Sequence, residues 1–94
     1  HHIMFNNKHY FLFKKSGKYY IANSKGEIFA KRNYTKMQEL SKNRILVRVD
    51  KKYGIIDLDE NIIVPIKHKS FKQINKNLYI TKSNGYDLAP LAPS

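Results

Sequence analysis

The chain contains no cysteine, which excludes a disulfide framework, a thiolate nucleophile and a cysteine-based zinc site. The compartment stays open, because a chain free of cysteine suits either side of a membrane. Acidic residues are scarce, 7 against 18 Lys and Arg, leaving a net charge of +11. Arginine is rare within the basic set, 3 residues against 15 Lys, although Arg is the side chain best suited to bidentate phosphate and base recognition. Four glycines form no glycine-rich phosphate loop. Alanine, the strongest helix former, is sparse. No apolar run approaches the ~20 residues of a membrane-spanning helix, so no integral membrane segment is expected. No signal-peptide pattern of basic start, apolar stretch and small-residue cleavage site is visible. His1 and His2 read as the remnant of a purification tag, which sets residues 1–3 outside a domain starting at Met4.

What the chain does hold suits a pleated, half-buried surface. Ile, Tyr, Phe, Leu and Val supply most of a composition that is 41% hydrophobic and 13% aromatic. Ninety-four residues make one domain at most. An internal repeat organises it. Residues 11–23 align with 45–57 at an offset of 34, as from Lys18 to Lys52, and the register runs on without a gap through 24–30 and 58–64. A third copy starts at Tyr79, shifted by about 33, and stops almost at once. Each full unit reads as three strands, 11–15, 18–23 and 27–30 in the first and 45–49, 52–57 and 61–66 in the second, joined by short polar turns.

The expected fold is therefore all-β: antiparallel meander repeats in a single domain over 4–88, arranged as a small roll or an open barrel-like form. The units span about 11–44 and 45–78, with a partial third over 79–88. The linkers 31–44 and 67–77 are polar and Lys-rich, and 36–40 suggests one helical turn. Pro65 cannot donate to a ladder, so it marks an edge, a bulge or a strand end. The tail 89–94, with Pro90 and Pro93 and no charge, reads as coil.

The second unit carries a recognisable pattern. Leu46-Val47-Arg48-Val49 forms an apolar strand and Asp50-Lys51-Lys52 a polar turn. Tyr53-Gly54-Ile55-Ile56-Asp57 follows, then Ile62-Ile63-Val64-Pro65 and the aromatic Phe71. This resembles the bacterial WG repeat, over about residues 10–88 and most closely over 45–71. Tyr53 stands where the family has Trp, Tyr19-Tyr20 replaces Trp-Gly in the first unit, and Glu60-Asn61 lacks the turn glycine that Gly26 keeps. The resemblance implies a β-rich tandem module of interaction or envelope-associated type, and no catalytic residues. The recurring aromatics Tyr19, Tyr53 and Tyr86 are expected to pack one meander on the next. Gly54 is expected to permit close approach of a neighbouring strand or ring. Asn23 and Asp57 share only a short side-chain oxygen, which suits a backbone cap in a turn.

Little chemistry is on offer. His9 and His68 are not at metal-ligand spacing. Asp57, Asp59 and Glu60 lack the ligand ladder of a calcium loop and read as a solvated turn. No cofactor, metal site or enzyme activity is expected. Two kinds of partner remain. One is another protein, or a second copy, held on an open strand edge or on a tyrosine-bearing face. The other is a nucleic acid or another anionic polymer, held on a stripe of Lys14, Lys18, Tyr19, Tyr20, Arg48, Lys52, Tyr53 and Tyr86, where rings between cations suit a single strand. The charge has a plain reading as well, since Lys, Asn, Ile and Tyr are what an AT-biased genome supplies.

Overall fold

The structure, a computed structural model, describes residues 1–75, 78–82 and 86–90, with the backbone alone at 78 and 86–90. No helix occurs among the described residues. The strands are β1 (His2–Phe5), β2 (Lys8–Lys15), β3 (Lys18–Asn23), β4 (Ile28–Phe29), β5 (Lys36–Ser41), β6 (Arg44–Val49), β7 (Lys52–Ile56), β8 (Ile62–His68), β9 (Ser70–Gln73), β10 (Leu78–Lys82) and β11 (Tyr86–Pro90). They form three antiparallel meanders in chain order: β1 to β4, β5 to β8, and β9 to β11. The all-β meander reading holds, and no sheet among the described residues closes on itself.

Each unit has one more strand at its start than the sequence suggests. β1, β5 and β9 begin at residues 2, 36 and 70, and β3, β7 and β11 at 18, 52 and 86, a constant step of 34. Residues 36–40, expected as a helical turn, belong to β5, where pairing with β6 overrides their helical propensity. Residues 1–3 are part of the fold: Ile3 is 5% exposed, and the amino terminus donates to the Leu12 carbonyl at 2.8 Å. Ala89 and Pro90, expected as coil, lie in β11 opposite Tyr79 and Leu78. The rest of the tail, 91–94, lies outside the described residues, as do residues 83–85 of the third copy.

The sheets stack with their cores between them. Each has a forward face towards the next sheet and a rear face towards the one before. Tyr10, Leu12 and Ile21 on the forward face of the first sheet meet Ile45, Val47 and Ile56 on the rear face of the second, with Tyr34 wedged between. Ile55 and Val64 on the forward face of the second sheet meet Tyr79 and Phe71 on the rear of the third. The second sheet is thus buried on both sides, which explains why its strands are apolar without alternation. Ile45, Leu46, Val47, Ile55 and Ile56 are all at most 2% exposed.

Pro65 sits within β8, an edge strand with two register irregularities against β7. Gly54 explains how β8 runs so close. A Cβ there would lie 2.6 Å from the Ile66 Cα and 2.8 Å from the Val64 carbonyl oxygen. The first unit carries Tyr20 at that position, and β4 pairs over two residues only. The chain then swings away and rejoins β3 where Tyr19 N–H donates to the Tyr34 carbonyl at 2.9 Å.

Candidate functional site

The hairpin turns place the candidate residues. Ser16 and Gly17, and Asp50 and Lys51, all take positive φ, the two-residue turn that matches strand twist. Next to these turns Lys14 pairs with Tyr19 and Arg48 with Tyr53, and in the third sheet Lys82 stands opposite Tyr86. The Lys14 ammonium lies 5.7 Å from the Tyr19 ring centre, and the Arg48 guanidinium 5.7 Å from that of Tyr53. Lys36 approaches Tyr53 as well, at 5.8 Å. A cation-on-ring pair thus recurs on the forward faces of the first and second sheets. The side chain of Tyr86 lies outside the described residues.

The expected stripe is not a single face. Lys14, Tyr19, Arg48 and Tyr53 occupy forward faces. Lys18 and Tyr20 lie on the rear of the first sheet, 5.7 Å apart from ammonium to ring centre, and Lys52 lies opposite Val49 on the rear of the second. The eight residues share one end of the stack, where the hairpins turn.

Sequence reasoning missed the surface around Tyr20. The rear of the first sheet carries a row in register, His2, Phe11, Ala22 and Ile28. Beside it Phe13 stacks on Tyr20 at 5.3 Å, and His9 stacks on His2 at 4.9 Å. Met4 is 63% exposed, Ile28 61% and Phe11 41%. Phe13, Lys15, Ser16, Tyr20 and Ile28 line an open groove of about 200 Å³. A signal was present: Phe11 and Phe13 align with Ile45 and Val47, which are both fully buried.

The opposite end of the stack is built for structure. The Asn23 Oδ1 accepts from the backbone N–H of Lys25 and Glu27, each at 3.0 Å. The Asp57 Oδ1 accepts from those of Asp59 and Asn61, each at 2.9 Å. Glu60 takes the place of Gly26 and its positive φ, 62° against 82°. Its buried carboxylate accepts from the Tyr34 hydroxyl at 2.7 Å and the Lys31 N–H at 2.9 Å, tying the interunit linker to the second sheet. Burial first, and this hydrogen bond second, push the Tyr34 hydroxyl up to about 12. The Asp57, Asp59, Glu60 turn is therefore only partly solvated: Asp59 is exposed, while Asp57 and Glu60 are buried.

No group of three or more His, Asp or Glu able to hold a metal ion occurs among the described residues. No helix among them is long and apolar enough to cross a membrane. No protein-family model, curated protein or solved structure matches the chain.

Proposed function

We propose that this chain is a non-enzymatic protein-interaction module of the WG-repeat kind, and that its partner docks on the tyrosine-bearing rear face of the first sheet. The carrying observation is exposure. Phe11 is 41% exposed where its repeat counterpart Ile45 is 0% exposed. A contiguous apolar surface rimmed by polar groups is what a docking partner covers. Here the rim is His2, His9, Lys15 and Lys18, and the centre is Phe11, Phe13, Tyr20 and Ile28.

Site-specific photo-crosslinking in the source cell tests this. A benzoylphenylalanine at position 28 should yield protein adducts, and one at Lys25, in the turn beside it, should yield few. Equal or absent adducts at position 28 would remove the rear face as a docking surface.

The repeated cation–tyrosine pairs favour a second reading, a site for a single-stranded nucleic acid or another polyanion at the hairpin end. Each phosphate neutralised on a single strand contributes about −0.7 to the salt-dependence slope. Charge reversal at Lys14, Lys18, Arg48 and Lys52 should flatten the slope of a fluorescence-anisotropy titration. An unchanged slope would exclude the stripe as the site.

A further inference from the structure

The stacking pattern inside the chain names one occupant for the exposed rear face. The forward face of the first sheet meets the rear of the second, and the forward face of the second meets the rear of the third. The same repeat positions form both joints. Ile21 and Ile55 are forward residues, 0% and 1% exposed, and Ile45 and Tyr79 are rear residues, 0% and 5% exposed. Among the described residues, two faces of this kind have no sheet against them. One is the rear of the first sheet, with Phe11 at the position of Ile45 and Tyr79. The other is the forward face of the third sheet, where half-buried Ile80 holds the position of Leu12 and Leu46.

We infer that the rear face of the first sheet receives the forward face of the third sheet of a second copy of this chain, so that copies stack head to tail. This rests on the reading of the rear face as a docking surface and adds the identity of the partner. The joint continues one that the chain already makes twice. It pairs two different surfaces, so each added copy presents a fresh face and growth runs on until the rotation per joint closes a ring. Inside the chain the linkers hold the sheets together at high effective concentration. Between copies that help is lost, and assembly is confined to high protein concentration. The net charge of +11 opposes it. Added salt screens that repulsion and leaves the apolar contact intact, so salt strengthens stacking. Binding of a polyanion responds in the opposite sense.

Sedimentation velocity on the full chain, across a concentration series at low and high salt, tests the inference. The wild type should grow past the dimer, and more so at high salt. Phe11→Asp blocks one face and Ile80→Asp the other. Each variant alone should stay monomeric, and an equimolar mixture should form a dimer and stop there. Circular dichroism establishes that the variants fold, with Ile28→Asp and Ile80→Gln as milder replacements. A wild type that stays monomeric at every concentration overturns the inference. So does a dimer that Phe11→Asp abolishes and Ile80→Asp alone leaves intact, because that is pairing of two rear faces. Neither result touches the photo-crosslinking experiment, where adducts to a different protein would keep the rear face as a docking surface with another partner.

Discussion

At the scale of single residues, one side-chain oxygen organises each of the two turns that follow β3 and β7. Asp57 accepts two backbone N–H groups through Oδ1 and the Asn61 amide through Oδ2 at 3.0 Å. Asp57→Ala leaves those donors without their acceptor and should cost about 1–3 kcal/mol in urea unfolding. Asp57→Asn should cost much less, since Asn23 makes the same two backbone contacts in the first unit. Tyr34 sets a dependence on pH. Its folded-state value of about 12 stands above the ordinary 10, so both states keep the proton below pH 10. Between pH 10 and about 12 the unfolded chain ionises while the folded one does not, and stability falls as pH rises. Tyr10 and Tyr79, raised chiefly by burial, act in the same direction. For one tyrosine the loss is at most about 1.4 kcal/mol for each pH step of one across the window. Unfolding midpoints measured through this range should drop, and Tyr34→Phe should remove much of the slope.

At the scale of elements, Gly54 decides how long an edge strand runs. Gly54→Ala places a methyl against the Ile66 Cα and the Val64 carbonyl, backbone atoms that cannot step aside. It should destabilise by about 1–3 kcal/mol. Amide exchange should rise along β8 before it rises in β6. The central strands of both full units were legible in the sequence, because the 34-residue alignment fixes β3 against β7 and the two turns beside them. β5 was not. Its Met37 and Leu40 are three residues apart, a helical interval, yet one faces the core behind the second sheet and the other the core ahead of it. A strand between two cores carries apolar residues on both faces, so its period is no guide. The candidate residues were legible by type and not by face. Lys14 and Lys18 flank the same turn but emerge on opposite sides of the sheet, because side chains alternate along a strand.

At the scale of the whole molecule, the second sheet is the keystone and the third is the weak end. The second is packed on both faces. The core behind the third is small, with Tyr79 and Ile55 as its buried members among the described residues. Hydrogen exchange should therefore show the strongest protection in β6 and β7 and the weakest in β9 and β10. The reverse order would mean that the stack is held together at its end and not at its middle.

Among the described residues, every strand pairs only with its immediate neighbours in the chain. Such wiring asks for little search. Each hairpin can close locally, with a small entropy loss, before the sheets dock. All-β proteins are usually slow to fold because their pairings join distant parts of the chain. This one escapes that constraint, and stopped-flow refolding should place it among the fast mixed or helical domains.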